Sequence, residues 1–476
     1  MKNKITFIST ISLIISNWGM AQNTSPKSVT QPPPYSVVRW TEDYTYLKNQ
    51  SGNDFFDPIK YIALGENLSL SLGGQLRERY EYFSNNNFGA GPQDDNGYFL
   101  TRGLLHADFK AFNVFRVFAQ VKTAMIDGRE GGPRAIDADE IDLEQLFFDL
   151  RIPLPTAEKD SMTFRAGRQD LLYGAQRLIS PLDWANVRRT FEGVKLSTVT
   201  GDNTLDLFLV RPVIVDKEEP NDGDGNQAFY GIYDTLVLPQ LGGKDAKTKA
   251  EFYFLGLSQT EAPNRLVDAD TYTLGARFSS APKPFDIDVE AMYQFGKSGS
   301  DDISAFAFAI EGGYTFDTTL SPRISLGFDY ASGDDNPSDG EKGTFNQLFP
   351  LGHAYFGYID VIGRQNIMSV HPGLQLTLLK DRSYAKSVKL RADYHWFWRA
   401  ETSDALYNAG GGVIRAAGGS DQHYVGSEFD LLIDWQVNRH LNFYVGYSHF
   451  FAGEFLEDTG PSDDIDFFYM AGQFTF

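Results

Sequence analysis

The chain has 476 residues, with 63 acidic against 42 basic side chains and a formal net charge of −21. That balance excludes a generic nucleic-acid binder, and the complete lack of cysteine excludes disulfides, thiolate-bound metals and a cysteine nucleophile. No apolar run reaches the length of a transmembrane helix, so a membrane form of this chain would have to be a closed β-barrel.

The N-terminus reads as an address. Lys2 and Lys4 precede the apolar stretch Ile5–Ile15, and Gly19-Met20-Ala21 has the small-x-small form of a cleavage site. Residues 1–21 are therefore expected to be a signal peptide, with the mature chain starting at Gln22. Loss of those two lysines would take the charge from −21 to −23. With no Cys after the site, this is not a lipoprotein signal. Residues 22–66 form an N-terminal, periplasmic segment in this reading. It opens with a polar, Pro-rich leader over Gln22–Pro34. The stretch from Arg39-Trp40 through Pro58-Ile59-Lys60-Tyr61-Ile62 is too aromatic for a free linker. It is expected at the periplasmic rim or inside the mouth of a pore.

A two-residue period begins at Leu68. Leu68, Leu70, Leu72, Leu76 and Tyr80 face one way, and Gln75, Arg77, Arg79 and Glu81 the other. A soluble sandwich would bury the Leu face in a core, whereas a barrel would turn it to lipid and the arginines to the lumen. Eighteen such strands are predicted, near 68–82, 98–112, 114–124, 141–151, 162–170, 190–198, 204–213, 228–237, 249–258, 270–279, 284–297, 301–317, 321–332, 366–380, 387–400, 420–436, 440–451 and 464–476. Short connections fall after even-numbered strands: Asn113, 199–203 and 437–439. Long polar connections fall after odd ones: 83–97, 125–140, 171–189, 214–227, 333–365, 401–419 and 452–463. Only 238–248 and 297–301 fit poorly. Outer-membrane barrels alternate short periplasmic turns with long external loops in this way. The fold expected is all-β, a single antiparallel transmembrane barrel over 67–476.

Phasing each strand by its apolar face picks out the lumen side chains. The early strands give Arg77, Arg79, Arg102, Lys110, Arg116, Lys122, Arg165 and Lys195 against Glu81, Asp108, Asp149 and Asp206. The later strands give Arg277, Arg323, Lys389, Arg391 and Arg399 against Asp286, Asp288, Glu290, Glu311, Asp329, Asp393, Glu428 and Asp430. A basic wall would then face an acidic wall and guide carboxylates or phosphates. The alternative is that these charges pair across strands and hold the wall together.

The 333–365 connection contains Asp334, Asp335, Phe345, Phe349 and His353. Its length and aromatic content predict a loop folded into the lumen as a constriction, or else an external lid. Asp222-Gly223-Asp224-Gly225-Asn226 has part of a calcium-loop pattern but lacks its later Glu, which favours a plain acidic turn. No catalytic or phosphate-binding fingerprint occurs in a suitable context, and no cofactor or metal is expected.

The final strand carries Phe468, Met470, Gly472, Phe474 and Phe476 on one face. An aromatic last residue resembles the C-terminal signature read by the barrel assembly machinery, so Phe476 is the expected contact with it.

Several motifs together resemble the alginate-export family of outer-membrane porins. They are Asp57-Pro58-Ile59-Lys60-Tyr61-Ile62, Gly73-Gly74-Gln75-Leu76-Arg77-Glu78-Arg79-Tyr80-Glu81, and Leu104-Leu105-His106-Ala107-Asp108. Further on come Gly167-Arg168-Gln169, Tyr173-Gly174-Ala175-Gln176-Arg177-Leu178-Ile179-Ser180 and Asp183-Trp184-Ala185-Asn186. Last is Asp329-Tyr330-Ala331-Ser332-Gly333-Asp334-Asp335-Asn336 with Phe345-Asn346-Gln347-Leu348-Phe349-Pro350. The resemblance implies an eighteen-stranded monomeric barrel that conducts a polysaccharide passively. It also places Arg77, Arg79, Arg102, Arg165 and Arg168 in a basic selectivity lining, although Arg168 is out of phase with Arg165 unless a bulge re-aims it. The expected function is an outer-membrane channel for an anionic or neutral oligosaccharide, alginate-like polyuronate among them, with outer-membrane lipid around it. A general small-solute porin is the first alternative. An outer-membrane hydrolase and a soluble secreted β-protein are the others.

Overall fold

A computed structural model describes residues 33–49, 54–91, 93–217, 219–262 and 267–476. The signal-peptide reading lies outside these residues. Eighteen strands form the wall: β1 Leu68–Ser84, β2 Tyr98–Ala111, β3 Phe115–Asp127, β4 Asp139–Pro153, β5 Ser161–Gln169, β6 Phe191–Thr200, β7 Asn203–Ile214, β8 Gln227–Val237 and β9 Lys249–Gln259. The second half is β10 Ala269–Ser280, β11 Phe285–Ser298, β12 Asp301–Thr315, β13 Arg323–Ala331, β14 Ile367–Arg382, β15 Ala385–Trp398, β16 Tyr424–Gln436, β17 Leu441–Ala452 and β18 Ile465–Thr475. Each pairs antiparallel with the next, and β18 pairs with β1 from Gln75↔Thr475 to Ser84↔Asp466. Gly74 and Phe476 exchange backbone hydrogen bonds at the seam, 2.8 and 3.0 Å. The sheet therefore has no open edge, as a wall in lipid requires.

Alternation sets the two faces. Leu76, Leu105, Leu209, Phe252, Leu274 and Leu326 are exposed on the outside. Their neighbours one residue away point inward, and most of these are polar or aromatic. The short turns follow even-numbered strands, and two connections depart from the length rule. The 238–248 turn is extended by a 3-10 turn at Lys244–Ala246. The β11–β12 hairpin closes on Gly299-Ser300, with Gly299 at φ 62°. Part of the later long connection covers that low rim, because Glu341 and Lys342 pair in parallel with Asp302 and Ile303 of β12.

Two strands, β5 and β13, are only nine residues long. Each stops part-way up the wall, and there the chain turns inward. The 170–190 and 332–366 connections leave from these points and fill the barrel with a core of their own. Leu171, Leu178, Ile179, Phe345, Phe356 and Ile362 pack there against inward aromatics of the wall.

The N-terminal segment crosses the end of the barrel that carries the short turns. Arg39 donates to the carbonyls of Gly74 (3.1 Å) and Phe476 (2.8 Å), clasping the seam. Trp40 enters the lumen: its Nε1 donates to Asp170 (2.7 Å), and the Arg165 guanidinium lies 3.7 Å from its ring centre. The same segment reaches the outer face further on, where Phe56 stacks on Phe476 at 5.0 Å.

Candidate functional site

The arginines of β1 and β2 meet main chain. Arg77 donates to the carbonyls of Asp183 and Ala185 (both 2.9 Å), and Arg79 to that of Trp184 (2.6 Å). Arg102 reaches Asp183 O (2.8 Å) and Ala185 O (3.0 Å) and also ion-pairs with the Asp183 carboxylate at 3.1 Å. Three cations thus converge on one turn of the 170–190 connection. Guanidinium-to-carbonyl bonds of this kind are charge-assisted and directional. Arg188 completes the cluster, 3.0 Å from Asp170 and 3.2 Å from Asp183. Burial alone would push the Asp183 carboxyl upward, but Arg102, Arg188 and Arg77 overcome that and hold it below its ordinary value.

The 345–366 stretch is held by carboxylates. Glu428 accepts the N–H of Ile359 at 2.9 Å, and Asp430 that of Tyr358 at 3.3 Å. Asp430 also accepts the Ser448 hydroxyl. Further along, Arg364 is salt-bridged to Asp329 at 2.5 Å, whose other oxygen lies 3.0 Å from His371 Nε2.

The two connections join inside the barrel. Ile179 and Phe349 form a parallel bridge, with Ser180 N–H donating to Phe349 O and Phe349 N–H to Leu178 O (both 2.9 Å). The Tyr355 hydroxyl donates to Ala175 O. A stack then runs through both loops. Arg79 sits 4.0 Å from the Trp184 ring centre, Trp184 lies 3.7 Å from His353 at 11°, and His353 lies 4.8 Å from Tyr358. Its ends are β1 and, through Tyr358 N–H, β16. Those strands are separated by β17 and β18 alone. The simple picture of a basic half facing an acidic half is corrected here, because closure sets the last strands beside the first. Glu428 and Asp430 stand next to the Arg77–Arg79 wall, and the carboxylates across the barrel are those of β11.

The inward face carries Lys110, Arg116, Lys122, Arg165, Lys195, Arg323, Lys389 and Arg391 together with Asp108, Glu290, Asp329 and Asp393. Most of these charges are paired. Arg116 meets Asp108 at 2.6 Å, Arg165 meets Asp149 at 2.7 Å, and Lys122 meets Asp139 at 2.9 Å and Glu144 at 3.1 Å. Lys195 lies 3.4 Å from Asp206, Arg323 reaches Asp286 (2.5 Å) and Glu311 (2.8 Å), and Arg391 meets Asp393 at 2.6 Å. Arg177 of the 170–190 connection bridges Asp288 (2.7 Å) and Glu290 (3.0 Å).

Arg168 is a correction. It lies on the outer face, opposite Leu146 and Glu192 in register. No bulge intervenes between β5 and β6, so strict alternation turns Arg168 away from Arg165. It binds Glu192 (2.7 Å) and the carbonyls of Leu143 (2.9 Å) and Asn221 (2.5 Å), bridging the wall above the short strands. Asp334 and Asp335 are a second correction. They stay at the rim, where the Asp334 N–H donates to Asp404 of another external connection (3.0 Å). The inward part of the loop begins near Phe345, which is fully buried, and Phe349 sits edge-on to Phe229 at 4.9 Å. Arg399 is not a lumen residue either. It organises the external 399–423 connection by donating to the carbonyls of Thr402, Asp404, Ser420 and Gln422. Asp224 caps its own turn, accepting from Asn226 N (2.8 Å) and Gln227 Nε2 (2.5 Å), which fits the acidic-turn reading.

The sequence reading passed over Arg177, Trp184, Arg188 and Arg364 as structural anchors. A signal was available, since 171–179 is as apolar as a strand yet follows a strand too short to continue.

Comparison with known proteins supplies a family. The pattern described as "Alginate export" matches residues 68–469. None of the curated proteins compared with the chain matches it. Solved structures similar in fold include Pseudomonas aeruginosa OpdO (TM-score 0.56, 11% identity, 86% of this chain and 97% of that one). OccD3 (OpdP) from the same organism gives 0.56, 12%, 88% and 93%. The outer membrane protein OprD, also from Pseudomonas aeruginosa, gives 0.55, 13%, 86% and 94%.

Proposed function

Since this chain belongs to the alginate export family, we propose that it conducts polar oligosaccharides passively through an outer membrane, alginate-like polyuronates being the solutes the family description suggests. The chain is an outer-membrane β-barrel channel of that family. The observation that carries the finer one is a lumen narrowed by two inward loops that the wall itself anchors. In this reading the passage left beside the loops takes one extended chain or a small solute rather than folded polymer. Such a wall has no energy source, so flux follows the gradient.

A general small-solute porin is the second reading. The paired charges of the wall favour it, because they leave no long run of free arginines to match a polyanion. The hydrolase reading ranks below both, because the family matched is one of export channels. Reconstitution into planar bilayers separates the two channel readings. Oligouronates that block the current at concentrations where neutral oligosaccharides do not would support polyuronate conduction. Equal indifference to both would favour the small-solute porin.

A further inference from the structure

The ion pairs of the lumen are not symmetric in their contact with water. In several pairs at the inward loops, the basic side chain is the buried member and the carboxylate the wetter one. Arg102 and Arg188 are 1% exposed, whereas the Asp183 they share is 23% exposed. Arg177 is 2% exposed against 18% for Asp288. The His353 ring is 5% exposed and its partner Asp360 28%. On β11–β13, Asp286 (22%) and Glu311 (27%) are both wetter than Arg323 (13%).

From this we infer that the lumen is cation-selective, with Asp183, Asp288 and Asp360 at the loops and Asp286 and Glu311 on the wall as its selectivity-determining residues. The solutes it favours carry an ammonium group or no charge, as an amino-sugar oligosaccharide would. The inference rests on the channel reading alone, and it sets cationic or neutral oligosaccharides in place of polyuronates as the favoured solutes.

The physical cause is the use made of the arginines. A guanidinium that donates to main-chain carbonyls must bury its head among them, as Arg77, Arg79 and Arg102 do on the 183–185 turn. Its carboxylate partner still has a lone-pair side free for water. The exposed member of a pair stands closer to a solute than its buried partner, so of the two opposite charges it contributes more to the potential the solute meets. Arg102, Arg188 and Arg77 also hold Asp183 below its ordinary carboxyl value, which keeps it charged at neutral pH. Other pairs have the opposite sense. Arg391 is 21% exposed against 11% for Asp393, Lys195 is 10% exposed against 4% for Asp206, and Lys110 and Arg116 are wetter than Asp108 near the N-terminal segment. His371 is likewise wetter than Asp329. All of these lie on wall strands, and the five acids named above outnumber these four lysines and arginines.

The test is the reversal potential of the full-length barrel in planar bilayers under a KCl gradient at neutral pH. A potassium-to-chloride permeability ratio above unity is expected. Asp183→Asn with Asp360→Asn should move that ratio toward unity or below it. Because Asp183 also anchors its loop, the pair Asp286→Asn and Glu311→Gln provides a second variant that leaves the loop contacts alone. Its ratio should fall as well, by less. Anion preference in the wild type overturns the inference and leaves the channel reading standing. So does a ratio that neither double variant changes. A wild-type barrel that carries no current at any voltage overturns both.

Discussion

The two inward connections are held by opposite ends of the peptide group. The 170–190 connection presents carbonyl oxygens to a cationic patch, Arg77, Arg79 and Arg102 on β1 and β2. The 345–366 stretch presents N–H groups to a patch of carboxyl acceptors, Glu428 and Asp430 on β16. The patches are neighbours across the seam, and the Arg79–Trp184–His353–Tyr358 stack spans the gap between them. The comparison shows that charge on the inside of a barrel need not address the solute. Main chain inserted into the lumen brings its own dipoles, and wall charges of either sign satisfy them.

The strongest way to break this arrangement is to reverse one anchor. Glu428→Lys puts an ammonium where the Ile359 N–H needs an acceptor, with an expected local cost of about 3–5 kcal/mol. Hydrogen exchange should then show lost protection at 353–360 with the 183–185 amides still protected. Simultaneous loss at both places would mean that the loops form one unit. A somewhat smaller effect is expected from Arg364→Met, which leaves Asp329 buried with His371 alone. Roughly 3 kcal/mol of local stability should go, read as faster exchange at 360–366. Unchanged exchange there would mean that the Asp329 pair does not anchor the loop.

Sharpening the comparison calls for the stack between the patches. A double-mutant cycle on Trp184→Leu and His353→Leu should give a coupling of about 1 kcal/mol, measured from the unfolding of the detergent-solubilised barrel. A coupling indistinguishable from zero would make the two anchors independent.

The smallest effect on either loop should come from Lys60, at the far mouth. Burial first, and Arg39 next, push its ammonium down to about 7. Between that value and the ordinary lysine range the docked segment binds fewer protons than the released one, so docking tightens as pH rises through that window and is independent of pH below it. Limited proteolysis of the 33–60 segment should slow from pH 7 to pH 10, and Lys60→Met should flatten the profile. A profile already flat in the wild type would contradict the burial of this charge.

Much of the wall was legible from alternation. The eighteen strands and their closure follow from a period of two and from the parity of connection lengths, since lipid on one side and polar lumen on the other leave each strand one permissible phase. The phase even flagged Arg168 as out of step with Arg165, and the structure puts it outside. The interior was less legible. Part of the 333–365 loop was expected inside, and its second half is there, while Asp334 and Asp335 remain at the rim. The 170–190 connection could be read as one more external loop. The partners of Arg77, Arg79 and Arg102 are backbone carbonyls, which no side-chain pattern records. The relation of the basic and acidic patches depends on closure of the ring, which puts residues about 380–400 positions apart in sequence side by side.

The most direct test of anchoring by the wall is the triple variant Arg77→Ala, Arg79→Ala, Arg102→Ala in planar bilayers, with conductance and reversal potential recorded together. Loss of the 183–185 anchor should raise and destabilise the conductance, as the loop leaves the lumen, with little change in ion preference. Unchanged conductance with a clear shift of the reversal potential toward cations would contradict the account and return these arginines to the solute.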